Sequence, residues 1–297
     1  MNRNSMRTRV HSVPSPDAGL SLTKRITVRK RIRLRFFIML ALAFVYVLLA
    51  LNAGKFARYD PIKVNPSLSL IAPSAEHPFG TDKLGRDVMS RILSGAGTSF
   101  TLSFIMISIV AVIGTTIGMI CGYFSGVVDT VLMRLVDILL AFPDTVFAIA
   151  VAGMLGAGVI NAVLALGLLS WTGFARMARG LTASIREKNY IEQARFNGAS
   201  TPRIIIKYIL PNVLPQIIVM AAMRVGGTML SLASLSYLGL ASQPPTPEWG
   251  VMVSESRAYM QTAPWMMIFP GLALFITVVI FNLLGDSFRD YMDIKKQ

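Results

Sequence analysis

Apolar residues fall in six long runs, separated by polar stretches that carry most of the prolines. The runs lie at about 35–53, 99–122, 129–155, 159–178, 213–240 and 265–284. About 20 apolar residues in helix cross the hydrocarbon core of a bilayer. The pattern therefore predicts an all-α, polytopic membrane protein with six transmembrane helices. Pro143 interrupts the third run, and a Gly156-Ala157-Gly158 turn separates the third from the fourth. Gly114 and Gly118 in the second run form a Gly-x-x-x-Gly pair, a spacing that permits close helix contact. Between the runs, 54–97 and 241–264 read as outer loops and 179–212 as the longest inner loop. The division is a basic tail over 1–34, the first span and outer loop over 35–97, a core over 98–290, and a short tail over 291–297.

Composition agrees. The chain is 54% hydrophobic and 15% charged, against about 25% charged in soluble domains. The net charge of +14 is concentrated at one end. Ten Lys and Arg precede residue 36, against one acid, Asp17. A basic segment abutting a span keeps that end cytoplasmic. It suits anionic lipid, and no nucleic-acid motif accompanies it. The tail is also longer and more basic than a secretory leader, and no small-residue cleavage site comes after it. Pro14, Ser15 and Pro16 argue for disorder over 1–34. With six spans and both ends inside, 21 Lys and Arg fall on inner segments and 7 on outer ones. Arg224, within the fifth run, is the remaining one. The single Cys121 excludes an intrachain disulfide and reads as a small buried hydrophobe.

The inner loop has its own grammar. Gly198 suits the end of one short helix, because glycine adopts φ > 0 without a Cβ penalty. Thr201-Pro202 suits the start of a second, with Thr201 as N-cap. Pro211 and Pro215 are expected to break that second helix from the span beyond it. Glu192-Gln193-Ala194, then Gly198, then Ile209-Leu210-Pro211 resembles the "EAA" loop of ABC importer permeases. Gln193 and Tyr208 depart from the usual small and apolar residues of that loop. The resemblance implies a cytoplasmic coupling helix that docks into an ATPase subunit through Glu192, Gln193, Ala194, Gly198, Leu210 and Pro211. Ala194 would keep the approach close.

Four further stretches narrow the resemblance to permeases for dipeptides, oligopeptides or nickel, and to the second permease of the pair. They are 77–87 (His-Pro-Phe-Gly-Thr-Asp-Lys-Leu-Gly-Arg-Asp), 133–143, 238–250 and 270–290. The family implies a second permease, two ATPase subunits that use ATP and magnesium, an extracytoplasmic binding protein, and residence in the bacterial inner membrane. The chain itself would bind no cofactor or metal and would not be an enzyme. It has no Gly-x-x-x-x-Gly-Lys-Ser/Thr loop. It also lacks a zinc-protease His pair and a nucleophile elbow. An ATP-independent channel or facilitator is the alternative reading, and an intramembrane enzyme a third.

Several residues stand out within this frame. Arg224 lies near the middle of a span, where a charge is costly, so it faces the pathway, the second permease or an internal partner. Asp137 lies three residues after Arg134 and can pair with it, or face the pathway. Asp144 comes directly after Pro143 and can cap the restarted helix, or face the pathway. Trp249 and Trp265 flank the last outer loop, as interfacial anchors or as contacts for the binding protein. Asp82, Arg86, Asp87 and Glu248 lie on the same outer segments, where the Asp and Gly residues of 80–87 suit turns or, with Glu248, offer further contacts for the binding protein.

Overall fold

The computed structural model describes residues 22–295. Among these the chain is helical, with an isolated Thr81–Asp87 bridge in place of any sheet. The elements are α1 (Leu22–Asn52), α2 (Val88–Phe124), α3 (Gly126–Leu140), α4 (Asp144–Leu155) and α5 (Val159–Arg186). They continue as α6 (Asn189–Phe196), α7 (Thr201–Ile204), α8 (Leu210–Tyr237), α9 (Trp249–Ser256) and α10 (Trp265–Lys295). Five stretches are long and apolar enough to cross a membrane, and α3 with α4 forms a bent sixth.

The helices exceed the apolar runs that announce them. Residues 1–21 of the basic tail lie outside the described residues, but from Leu22 the chain is helix, so disorder does not extend to 34. Arg, Lys and Leu are good helix formers, and α1 carries them into the span without a break. At the far end, Asp87 caps α2 by accepting a hydrogen bond from the Ser90 N–H at 2.7 Å. That cap starts the helix well before the apolar run at 99. α10 likewise runs through the charged tail. There Phe36 stacks on Tyr291 with centroids 4.9 Å apart, and Arg35 lies 3.7 Å from Asp290. The first and last spans are thereby antiparallel neighbours.

The tightest contact is between α2 and α5. The glycine pair of α2 extends to a third member, Gly122. A Cβ on Gly114, Gly118 or Gly122 would stand 2.3, 2.3 and 2.5 Å from the carbonyl oxygens of Trp171, Ala175 and Arg179. Only glycine allows that approach. Cys121 is fully buried beside this seam, as a small hydrophobe should be.

The third run is not one straight span. α3 and α4 meet at 89° around Pro143. α3 has 15 residues and α4 has 12. At 1.5 Å per residue each rises about 22 Å or less, short of a 30 Å core. Two ion pairs tie α3 to α5: Asp129 with Arg179 and Asp137 with Arg176. The expected Arg134–Asp137 pair is therefore replaced by a contact between helices.

Pro211 and Pro215 do not break the chain. Thr201–Tyr237 is one long helical stretch. Over Ile205–Ile209 it widens, and the Leu210 N–H bonds the Ile205 carbonyl five residues back. The wide turn precedes Pro211, which has no N–H to give and would crowd a regular turn. Pro215 sits inside α8 with an exposed ring.

Candidate functional site

The inner loop is shorter than its polar composition suggests, because α5 runs on to Arg186. α6 begins after only two intervening residues, Glu187 and Lys188. Its eight residues turn Ile191 and Ala194 inward, at 0% and 7% exposure, and leave Glu192, Gln193, Arg195 and Phe196 outside. The helix stops at Gly198, whose φ is +77°. The Gly198 N–H bonds the Arg195 carbonyl at 2.9 Å, and the Ala199 N–H bonds the Ala194 carbonyl at 3.0 Å. These bonds close a Schellman-type stop, which needs a left-handed residue at this place. The N-cap position of the next helix is Ser200, one residue before the expected Thr201, and its side chain makes no cap hydrogen bond.

The loop is anchored to the bundle at named points. The Arg195 guanidinium lies over the Tyr123 ring, 5.2 Å from its centroid. Arg186 donates to the Tyr123 carbonyl at 2.7 Å and to the Ser125 hydroxyl. Ile204, Ile209 and Val213 are buried beneath α7 and the start of α8. Leu210 is half-buried and Pro211 exposed, at the point where the wide turn hands over to α8.

This geometry reassigns Ala194. Its methyl faces the chain's own core, so its small size fits α6 against the bundle and does not set the distance to a partner. The outward face is Glu192, Gln193, Arg195 and Phe196. Phe196, 82% exposed, was not singled out by the sequence. An aromatic in a polar helix beside a glycine stop was the available signal.

The outer segments belong to the interior. Asp82, Arg86, Asp87, Glu248 and Trp249 are all buried, at 2–4% exposure, so none of them is a surface contact for a binding protein. Trp249 is no interfacial anchor either. It packs edge-on against Phe100 and donates from Nε1 to the Ile92 carbonyl at 3.0 Å. Glu248 caps α9, accepting from the N–H groups of Gly250 and Val251 at 3.0 Å each. Asp87 caps α2 and lies 2.9 Å from His77 Nδ1. Arg86 bridges Asp82 at 2.6 Å and Glu255 at 3.0 Å, and Arg91 reaches the same Glu255 at 3.0 Å. Trp265 donates to the Thr81 carbonyl at 3.1 Å and is partly exposed. The 77–87 segment is thus a folded clasp between α2, α9 and α10. Glu255, its central acid, was missed because nothing local marks it.

Arg224 is exposed in mid-span, with its guanidinium 5.3 Å from the Phe174 ring centroid. Asp144 is the first residue of α4 and makes no side-chain cap; Pro143 occupies the cap position. No group of three or more His, Cys, Asp or Glu able to hold a metal ion occurs among the described residues.

A bent span, a glycine seam and a short helix between α5 and α7 with an exposed outer face suit a transport subunit, and the family match makes it an inner-membrane permease subunit of an ABC importer. The chain belongs to the family described as binding-protein-dependent transport system inner membrane component, whose profile matches residues 114–296. It is 42% identical over 276 residues to the glutathione transport system permease protein GsiD of Escherichia coli O6:K15:H31 (strain 536 / UPEC). That alignment covers 90% of this chain and 89% of the relative. The protein of the same name from Pectobacterium atrosepticum is 41% identical over 262 residues, covering 87% and 85%. In fold, the chain is similar to an inward-facing structure of the MetNI methionine ABC transporter. The TM-score is 0.54 at 20% identity, over 67% of this chain and 95% of that one.

Proposed function

We propose that this subunit pairs with a second, homologous permease to carry glutathione-sized peptides across the inner membrane. Two partner ATPase subunits bind and hydrolyse ATP with magnesium, and an extracytoplasmic binding protein delivers the cargo. The permease contributes no nucleotide or metal site of its own. Support for the cargo comes from the relatives, which are named for glutathione transport. Glutathione takes precedence over nickel for that reason.

The observation that carries the coupling role is the exposed face of α6. Glu192, Gln193, Arg195 and Phe196 project from a helix fixed to the bundle by Ile191, Ala194 and the Arg195–Tyr123 contact. A rigid short helix with an aromatic and mixed charge on its free face suits a groove in a partner. Gly198→Val should distort the stop, since a Cβ at φ > 0 costs on the order of 1 kcal/mol or more. Nothing lies within 4 Å of that Cβ, so the effect is backbone strain and not a clash. Glu192→Ala removes a charge from the docking face. Both variants should insert normally, lose most ATP-driven uptake in membrane vesicles, and either shed the ATPase or hydrolyse ATP without transport. Normal uptake with full ATPase retention in both would remove the coupling assignment.

In the same reading, the α6 end of the bundle and both chain termini face the cytoplasm. The concentration of Lys and Arg before residue 36 and along 176–207 supports that orientation. A reporter active only outside the cytoplasm should be active when fused near Pro73 or Pro245 and silent near Asn197. Activity at Asn197 would invert the topology.

A further inference from the structure

We infer that Arg224 is a specificity-determining residue of the transport path, binding the C-terminal carboxylate of the cargo as it crosses; this rests on the peptide-importer reading.

Arg224 lies on a polar face of α8. Arg224, Gly227, Ser231 and Ser234 come at intervals of three and four, so they share one side of the helix. Arg224, Gly227 and Ser234 are exposed and Ser231 is partly exposed. A Cβ on Gly227 would meet nothing within 4 Å. The Ser231 and Ser234 hydroxyls donate to the carbonyls of Gly227 and Leu230 on their own helix, which leaves their lone pairs free to accept. A polar stripe through the middle of a span is unsuited to lipid tails, and a guanidinium there requires water or a polar partner.

Helix α5 is shaped around this guanidinium. The Phe174 ring lies close enough to attract the cation without neutralising it. Gly173 leaves the space in which the guanidinium sits, because a Cβ there would come within 2.4 Å of Nη2. Among the described residues no carboxylate comes within ion-pair distance of Arg224. The fork is therefore held in place on one side with its donors left for a ligand. A planar guanidinium matches a carboxylate through two parallel hydrogen bonds. Glutathione and other small peptides carry a terminal carboxylate. An acid from the second permease is the competing partner, and the test separates the two.

The complete importer is reconstituted in vesicles with its second permease, ATPases and binding protein. ATP-driven uptake of glutathione is compared with that of its C-terminal amide. For each cargo, uptake by a variant is divided by uptake by the wild type, so that the binding protein's own preference cancels. Arg224→Gln should lower glutathione uptake about tenfold and amide uptake much less. Arg224→Lys, which keeps the charge but not the fork, should fall between. Gly173→Ala should act in the same direction as Arg224→Gln, by displacing the guanidinium without removing it. Equal losses for acid and amide would overturn the inference, as would loss of the second permease from purified Arg224→Gln complexes. If the wild-type importer takes up neither cargo, the peptide reading itself falls, and that outcome is visible without any variant.

Discussion

Gly118→Leu should prevent α2 from seating on α5, and with it the folding of the whole subunit. A Cβ on Gly118 would lie 2.3 Å from the Ala175 carbonyl oxygen, 2.8 Å from the Ala178 methyl and 2.9 Å from the Arg179 nitrogen. Two of those three atoms are backbone, so no rotamer change relieves the clash and the helices must separate. Gly114 and Gly122 meet the same surface one turn to either side, so separation at one point opens all three. Overpacking a tight seam costs about 1–3 kcal/mol for small insertions and more when backbone must move. An isobutyl group here lies at the upper end. The expected result is a fall in the yield of monodisperse protein in detergent and a clear drop in its thermal midpoint. Gly153→Ala is the control. Gly153 lies inside α4 with nothing within 4 Å of its Cβ, and alanine there should be neutral or slightly stabilising. A Gly118→Leu protein that melts like the wild type would show that the seam does not depend on its glycines.

Much of the architecture was legible because membrane folding obeys one-dimensional rules. Apolar run length located the spans, and the Gly114–Gly118 spacing marked a place for close helix contact, though not its partner α5. The stop at Gly198 was legible too, since a left-handed residue at a helix end is a local requirement. Errors arose where a partner distant in sequence decides the outcome. Asp137 has Arg134 at the spacing for an intrahelical pair, yet α5 brings Arg176 to it across the bundle. Pro211 carries a strong local signal for a break, but a widened turn absorbs it and the buried Ile209 and Val213 hold the two sides together. The α3–α4 break was visible as a proline, but its 89° angle was not.

The outer segments mark the limit of local reasoning. Charged residues in a Pro-rich loop are exposed by default. On that ground Asp82, Arg86 and Asp87 read as a contact surface. The burial of Asp82 and Arg86 depends on Glu255, which lies 169 residues beyond Arg86 in the chain. No periodicity or motif links two such positions. The burial of Trp249 is similar, because its indole partner Ile92 lies 157 residues away. Arg224 is the opposite case. The cost of its position was legible from the span alone, while the accommodating Gly173 and Phe174 emerged only from the fold.

Glu255→Gln should detach that outer clasp. The side chains of Arg86 and Arg91 are each 1% exposed, Asp82 is 6% exposed and Glu255 11%. Two cations and two anions therefore balance in a nearly closed space, with Lys83 at its rim. Glu255 accepts from both arginines, at 3.0 Å each. Removing its charge leaves Arg86 and Arg91 sharing Asp82, and one positive charge is buried without compensation. Breaking a buried pair in this way costs about 3–5 kcal/mol. The consequence is global, since Glu255 is the bond between α9 and the loop that leads into α2. Arg91→Met should cost a similar amount, for it leaves a surplus anion. The double variant, Glu255→Gln with Arg91→Met, restores balance through the Asp82–Arg86 pair. It should be more stable than the sum of the single losses by about 1–3 kcal/mol. Thermal or denaturant unfolding of the purified subunit in one detergent measures all three. Strictly additive losses would mean that the charges act independently, and a Glu255→Gln protein as stable as the wild type would show that the clasp does not hold the outer loop in place.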